Sequence, residues 1–271
     1  MTRQYCRIGS RTIAYLDSAP GDHNLRALVL LHAFPIGANL WEPQMRSIPA
    51  GWRLITPDLR GFGGSTELDS LSALSMTDYA EDVADLIGEL AIAKAVIGGC
   101  SMGGYTTLAL YQSRPELFLG MVIANSRAGA DSPEARANRR NMLALVDREG
   151  PQGVAREMMP KLLGKTTQEH KPDAEATVRR LIKGQSPVAI RSAIHRMMHR
   201  ADSMPLLAQV KVPALVITGE EDEMIPVEES RRMASAIPGA TLVIIPGAGH
   251  LANLEQPDAF NTALSAFLGT L

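Results

Sequence analysis

The stretch Ala95-Val-Ile-Gly-Gly-Cys-Ser-Met-Gly-Gly104 decides the fold class of this chain. Its β-branched first half is typical of a buried strand, and residues 106–112 continue at helical spacing. Between the strand and the helix, Gly99 and Gly103 stand two residues to either side of Ser101 and leave room for a strained reversal of the chain. The pattern predicts that this turn presents the Ser101 hydroxyl to a cleft as a candidate nucleophile.

Two further predicted strands each run directly into a loop with polar side chains. Residues 212–219 (VPALVITG) lead into residues 220–226 (EEDEMIP), which carry four acids, and residues 242–245 (LVII) lead into a glycine-rich loop with His250. The chain order is therefore serine, acid, histidine, each after its own strand. A buried carboxylate that holds one tautomer of the imidazole lets the histidine accept the serine proton, so the three groups predict a nucleophilic triad.

With these motifs, the chain resembles the α/β-hydrolase superfamily over essentially its whole length. The resemblance implies an α/β fold with a mostly parallel, twisted sheet flanked by helices, and a helical cap inserted after the sixth strand. The superfamily's Gly-x-x-Asp before a proline matches Gly219 to Asp222. Asp222 is accordingly expected to be the acid of the triad. The other acids of this loop, Glu220, Glu221 and Glu223, are then expected to be solvated charges.

The superfamily carries an oxyanion loop after its third strand, usually His-Gly-x-Pro, and His32-Ala33-Phe34-Pro35 matches it. By this match the backbone amides of Phe34 and Met102 are expected to stabilise an oxyanion. Ala33 stands where the superfamily usually has glycine, so the backbone at this position must accommodate a Cβ atom. The departure leaves both expected donors in place, because they are main-chain groups.

Length and composition bound the organisation of the chain. Its 271 residues, 45% of them hydrophobic, suffice for one large core with an insertion. The alternation of strands and helices stops after the predicted sixth strand and resumes before the seventh. Residues 1–126 and 206–271 are therefore expected to form the α/β-hydrolase core, and residues 127–205 the inserted helical cap.

The same features exclude several classes of partner. A net charge of −2, without basic stretches interleaved with aromatic residues, argues against nucleic acid, and no apolar run is long enough to span a bilayer. The N-terminal stretch lacks the apolar segment of a signal peptide, and two cysteines are too few for a disulfide framework, so a cytoplasmic location is expected. The expected partner is a small-molecule ester. The resemblance implies no metal and no organic cofactor, and the sequence leaves the oligomeric state open.

The predicted cap carries 15 Lys and Arg against 9 Asp and Glu, has no Phe, Trp or Tyr, and contains six methionines. Most of its excess positive charge is expected to face water, although an arginine such as Arg127 or Arg140 would attract a substrate carboxylate. Flexible thioethers that face the cleft would form an adaptable apolar pocket. The residues expected to line the substrate pocket are His32, Trp41, Arg127, Met142 and Leu251.

The resemblance also narrows the chemistry. Epoxide hydrolases and haloalkane dehalogenases of this fold attack their substrates with an aspartate at the turn between strand and helix, the elbow, where this chain has Ser101. Epoxide hydrolases also use cap tyrosines. Ser101 and the tyrosine-free cap therefore exclude both classes. The expected activity is that of a serine carboxylic ester hydrolase, which cleaves small, mostly apolar esters through an acyl-enzyme. The nearest alternative is a lactonase, because the elbow Cys-Ser-Met-Gly-Gly and residues 124–129 (ANSRAG) look similar to 3-oxoadipate enol-lactonases. A C–C bond hydrolase is a third possibility, and a ligand receptor with very slow turnover represents a different class.

Overall fold

The computed structural model describes residues 2–66 and 75–271. These residues contain a sheet of eight strands. The strands are Gln4–Ile8 (β1), Arg11–Asp17 (β2), Arg26–Leu31 (β3), Trp52–Pro57 (β4), Ala95–Cys100 (β5), Phe118–Ala124 (β6), Ala214–Gly219 (β7) and Thr241–Ile245 (β8). Their order in the sheet is β1-β2-β4-β3-β5-β6-β7-β8. β1 and β2 pair antiparallel, as do β2 and β4, and all the remaining pairs are parallel. The predicted α/β fold with a mostly parallel sheet is confirmed.

Helices flank this sheet and connect its parallel strands. They are Glu42–Met45 (α1), Met76–Glu89 (α2), Met102–Ser113 (α3), Pro133–Leu162 (α4), Lys165–His170 (α5), Pro172–Lys183 (α6), Pro187–Met198 (α7), Met204–Leu207 (α8), Val227–Ala236 (α9), Ala252–Glu255 (α10) and Pro257–Leu268 (α11). In the described ranges, no helix combines the length and the apolar character that a bilayer crossing requires.

The central strands are buried along their whole length. Every residue of β4, β5 and β7 is buried, because helices cover both faces of a parallel sheet. Neighbouring parallel strands end at the same edge of the sheet. This edge therefore receives the residues that directly follow β5, β6, β7 and β8, which include Ser101 and the loops of Asp222 and His250.

The helices α4 to α8 all lie between β6 and β7, where the sequence analysis places the cap. Local sequence sets their ends: Ser132 and Ser186 cap α4 and α7 by accepting backbone N–H bonds with their side chains, and a proline follows each cap. Gly150 interrupts α4 with φ 61°, just before Pro151. This break divides α4 into two helical stretches. The division into a core and a separate cap at residues 127–205 stays a prediction.

Candidate active site

Ser101 occupies a sharp turn between β5 and α3. Its φ of 53° and ψ of −110° are a conformation that costs a non-glycine residue about 1–3 kcal/mol. The chain comes so close to itself here that only glycine fits: a Cβ on Gly99 would lie 2.4 Å from the carbonyl carbon of Gly103, and a Cβ on Gly103 would lie 2.2 Å from the carbonyl oxygen of Leu31. The predicted strand, turn and helix around Ser101 are all present.

Asp222 and His250 meet at the carboxyl edge of the sheet, where Oδ2 of Asp222 lies 2.9 Å from Nδ1 of His250. Both side chains are buried. The other carboxylate oxygen of Asp222 accepts the backbone N–H groups of Met224 and Ile225, each at 2.9 Å. Burial alone raises the pKa of Asp222, but His250, the Asn125 amide and the Ile225 N–H together hold the pKa below its usual value. Asp222 is therefore ionised at neutral pH.

The ionised carboxylate determines how the imidazole of His250 is used. Asp222 can only accept hydrogen bonds, so Nδ1 of His250 must donate, and Nε2 of the neutral ring then carries a lone pair. Nε2 is buried and has no hydrogen-bond partner among the described residues. His250 and Ser101 line the same cavity. This arrangement leaves a proton acceptor available in the cavity that also contains the candidate nucleophile.

Asn125 takes part in the site, and the sequence analysis misses it. It directly follows β6, and its side-chain amide donates to Oδ2 of Asp222 and to the carbonyl oxygen of Gly249, each at 3.0 Å. The amide thus orients the carboxylate and also holds the backbone next to His250. Only the strand order could have pointed to it, because β6 lies between the strands that precede Ser101 and Asp222.

The expectation that the other acids of the Asp222 loop are solvated is wrong for one of them. Glu220 and Glu223 are exposed. Glu221, however, accepts the backbone N–H of Thr166 at 2.9 Å and its hydroxyl at 2.6 Å. Because Thr166 stands in the first turn of α5, the Glu221 carboxylate attaches that helix to the acid loop.

The expected oxyanion donors lie on two segments. Phe34 lines the cavity, and Met102 is the first residue of α3. In the described part of the chain, neither backbone N–H has a loop or turn acceptor. Ala33 does not have a positive φ, so its Cβ fits the backbone. Asp58 holds this loop by accepting the N–H of Ala38 at 2.8 Å.

The cavity that contains Ser101 and His250 has a volume of about 640 Å³. Side chains from the core and from α4 and α7 enclose it. Its lining includes Phe34, Tyr105, Met142, Leu145, Met158, Ile194, Met197 and Ile225. Two of the five residues that the sequence analysis places in the pocket, Arg127 and Met142, do line it.

The other three expected pocket residues are wrong, because their side chains are buried in the core away from the cavity. His32 accepts the N–H of Leu59 at Nε2 over 3.0 Å, so it holds a turn. Trp41 packs against Phe260, with ring centroids 5.9 Å apart. Leu251 is fully buried. Proximity to a motif in sequence does not determine on which side of the backbone a side chain lies.

The cavity is rich in positive charge. Its charged lining consists of Arg127, Arg139, Arg148, Lys161 and one acid, Glu157. Arg140, the other arginine that the sequence analysis considers, is exposed and lies outside this lining. Of these two arginines, only Arg127 lines the cavity, and its contact with a substrate carboxylate stays a prediction.

Asp131 binds three arginines, of which Arg127 and Arg139 line the cavity. Its carboxylate binds Arg127 at 3.1 Å, Arg139 at 2.5 Å and Arg200 at 2.6 Å. Burial by itself raises the pKa of Asp131, but the hydrogen bonds and charges of Arg139 and Arg200 outweigh burial, so the pKa lies below its usual value. One negative charge thus faces three positive ones, and the cluster keeps a net positive charge beside the cavity.

Comparison with known proteins identifies the family of this chain. Residues 26–257 match the family model for the alpha/beta hydrolase fold. The chain belongs to this family. Members of the superfamily include enzymes of many kinds, so fold alone does not determine the substrate.

The relatives of this α/β-hydrolase include esterases and lactonases. A thermophilic esterase from Thermogutta terrifontis, solved with malate bound, is 34% identical, with 100% of this chain and 99% of the esterase covered and a TM-score of 0.92. The enol-lactonase from Burkholderia xenovorans LB400 is 27% identical, with coverages of 98% and 100% and a TM-score of 0.89. 3-Oxoadipate enol-lactonase 1 of Acinetobacter baylyi is 28% identical over 254 residues, which are 93% of this chain and 91% of that protein. The chain is a hydrolase.

Proposed function

We propose that this hydrolase is a serine carboxylic ester hydrolase, which cleaves small, mostly apolar esters through an acyl-enzyme on Ser101. The observation that carries the proposal is the arrangement of His250: its Nδ1 lies 2.9 Å from the Asp222 carboxylate, its Nε2 has no hydrogen-bond partner among the described residues, and its side chain lines the same cavity as Ser101. The methionines and aliphatic side chains of that cavity suit a small apolar acyl or alcohol group.

In the proposed reaction, Oγ of Ser101 attacks the ester carbonyl carbon while Nε2 of His250 takes the hydroxyl proton. The amides of Phe34 and Met102 stabilise the negative charge on the carbonyl oxygen. Asp222 stabilises the imidazolium, which then gives its proton to the leaving alcohol as the C–O bond breaks. Water, deprotonated by His250, attacks the acyl-enzyme and releases the carboxylic acid and free Ser101.

The proposal is tested by following hydrolysis of p-nitrophenyl butyrate and by labelling with diisopropyl fluorophosphate. We expect many turnovers per protein molecule and a single modified peptide, which contains Ser101. A label on another residue, with activity abolished, contradicts the assignment of the nucleophile. A single slow turnover favours the ligand receptor instead.

A second candidate is a lactonase that acts on an anionic lactone. The specific observation in its favour is the positive lining of the cavity, where four cationic side chains and one acid lie around the substrate space. Enol-lactonases are also among the relatives. The same three groups would open a lactone ring, because a lactone is a cyclic ester and its leaving alcohol stays attached to the acyl group.

A further inference from the structure

Glu255 is a fully buried acid for which the proposed reaction has no role. One carboxylate oxygen, Oε1, accepts the backbone N–H groups of Gly249 and Leu251, each at 3.0 Å. These two amides stand on either side of His250. The other oxygen, Oε2, accepts the N–H of Gly164 at 2.7 Å, in the segment between α4 and α5.

Burial of this carboxylate is costly. Burial raises the pKa of Glu255 above its usual value, and the amides of Gly164, Gly249 and Leu251 together with the hydroxyl of Thr167 act against that rise. In residues 2–66 and 75–271, no lysine or arginine forms a salt bridge with its side chain. The ammonium group of Lys171 binds the backbone oxygen of Glu255, and not its carboxylate, at 2.6 Å. The carboxylate therefore depends on three main-chain N–H groups and on the Thr167 hydroxyl, which belong to the histidine loop and to the segment 162–171.

The histidine loop and the segment 162–171 are packed directly on each other. The N–H of His250 donates to the carbonyl oxygen of Leu162 at 3.2 Å. A Cβ on Gly164 would lie 2.8 Å from the backbone nitrogen of Gly249, which shows how closely the two backbones approach. Glu255 spans this contact with one oxygen on each side.

We propose that Glu255 is a positioning residue for His250. By holding the backbone on both sides of the histidine, Glu255 determines the position of the imidazole relative to Asp222 and Ser101. Because the same carboxylate binds Gly164, this position also depends on how residues 162–171 pack against the histidine loop. The inference rests on the proposed function, because ester hydrolysis is one of the quantities that test it.

Both oxygens of Glu255 accept N–H groups, and this makes a carboxylate necessary. An amide offers a single oxygen and would turn its NH₂ group towards a backbone N–H on the other side. Glu255→Gln can therefore satisfy the histidine loop or Gly164, and never both at once. The side chain keeps its size, so the substitution changes hydrogen bonding without creating a cavity.

The test compares Glu255→Gln with Glu221→Gln. The control also removes a carboxylate that holds the insertion, through Thr166, but it does not touch the amides beside His250. For Glu255→Gln we expect kcat for p-nitrophenyl butyrate to fall by about 10- to 100-fold with little change in KM, because small displacements of a general base cost this much. For Glu221→Gln we expect a change of less than about threefold.

The pH profile distinguishes positioning from mere stability. The Asp222 carboxylate on the β7 loop contacts the imidazole, the Glu255 carboxylate binds the amides on either side of His250, and Sγ of Cys100 at the end of β5 donates to the carbonyl oxygen of His250. A looser Asp222 contact disfavours the imidazolium, which the Asp222 carboxylate stabilises. The acid limb of the kcat/KM profile should therefore move to lower pH in Glu255→Gln and stay in place in Glu221→Gln.

A spectroscopic measurement is independent of turnover. In the wild type we expect a downfield proton NMR signal from Nδ1–H of His250, and we expect this signal to broaden or shift in Glu255→Gln. The proposal is overturned if Glu255→Gln folds and keeps the wild-type NMR signal, acid limb and kcat. It is also overturned if Glu221→Gln loses as much kcat as Glu255→Gln and the acid limb moves in neither variant.

If the wild type hydrolyses no ester, the proposed function fails and the NMR signal alone decides the role of Glu255. If Glu255→Gln does not fold, Glu255→Asp, whose shorter side chain cannot reach all three amides, is measured in the same way.

Discussion

Main-chain hydrogen bonds hold Ser101 in place at the end of β5. Its N–H donates to the carbonyl oxygen of Ala124 at 2.9 Å, and its own carbonyl oxygen accepts the hydroxyl of Ser126 at 2.8 Å. The side chain contributes little to this turn, whereas the glycines on both sides allow it. A substitution of the side chain alone should therefore leave the turn intact.

We predict that Ser101→Ala lowers kcat for p-nitrophenyl acetate by several orders of magnitude, because the variant has no nucleophile. The melting temperature should stay close to that of the wild type, since a small side chain replaces another. Steady-state kinetics and a thermal melt by circular dichroism check both statements. Hydrolysis at close to the wild-type rate would show that Ser101 is not the nucleophile.

We predict that Asp222→Asn lowers kcat by a factor on the order of 10⁴, as in the comparable substitution of other triads. An amide can donate to Nδ1 of His250, and the ring then carries its proton on Nε2, which is the wrong tautomer for taking the Ser101 proton. Glu223→Gln is the matched control, because Glu223 is exposed in the same loop, and its kcat should stay near the wild-type value. If kcat fell equally in the two variants, activity would depend on the structure of the loop and not on the Asp222 carboxylate.

At the scale of elements, the packing of α3 against β3 and β5 requires a glycine at position 103. We predict that Gly103→Ala destabilises the protein by about 1–3 kcal/mol or more, because its Cβ would lie 2.2 Å from the carbonyl oxygen of Leu31, which is backbone and cannot move away cheaply. Gly88→Ala is the matched control: Gly88 lies in α2 with no atom within 4 Å of its added Cβ. This second change should stabilise by up to about 1 kcal/mol. Urea unfolding measures both, and similar effects at the two positions would contradict the packing argument.

Asp131 connects the loop after β6 with α4 and the end of α7. We predict that Asp131→Asn destabilises the protein by about 3–5 kcal/mol at pH 7, since it leaves the buried Arg200 and the half-buried Arg127 and Arg139 without their counter-charge. Asp147→Asn, which breaks an ion pair between Asp147 and Arg191 at the surface, should change stability little. Urea unfolding of the two variants provides the comparison, and equal losses would mean that the Asp131 cluster is no more important than a surface pair.

The pH dependence of this effect follows from the sign of the shift. The pKa of Asp131 is lower in the folded protein than its usual value. Its contribution is therefore complete above the unfolded pKa of about 3.9 and is lost as the pH falls through the folded pKa. The stability difference between wild type and Asp131→Asn should shrink as the pH falls below about 4. If the stability difference between the two proteins stayed constant down to pH 3, the charge of the Asp131 carboxylate would not contribute to stability.

At the scale of the whole molecule, charge is unevenly divided. The segment 127–205 has 15 Lys and Arg against 9 Asp and Glu, while the whole chain has a net charge of −2. Part of this positive charge lines the cavity with Ser101. Long-range attraction of an anionic substrate would therefore be directed towards the site.

We predict that neutral esters are hydrolysed with a kcat/KM that does not depend on salt. For a dicarboxylate-derived ester or an enol-lactone, kcat/KM should fall as salt rises, because charges are screened over about 10 Å at 0.1 M ionic strength. Arg127→Ala should weaken this salt dependence, and Arg140→Ala, at an exposed position outside the cavity, is its matched control. A preference of about a hundredfold or more for the anionic substrate, lost in Arg127→Ala, would favour the lactonase over the esterase.

The sequence by itself determined the elements and the chemical groups. Runs of β-branched residues, glycines at fixed offsets from Ser101 and prolines after capping serines act through neighbouring residues, so they can be recognised without knowing the fold. The strand, turn and helix around Ser101 were predictable for this reason, and the mostly parallel sheet followed from the superfamily resemblance that these motifs carry. The order of serine, acid and histidine follows from the same local patterns.

Only the tertiary structure decided which side chains meet. Asn125 and Glu255 each bind partners far away in the chain, at separations of 97 and 91 residues for Asp222 and Gly164. His32, Trp41 and Leu251 carry no local signal that their side chains lie in the core. Strand order and helix docking set these contacts through the burial of surfaces from distant segments, and a local pattern contains no information about that packing.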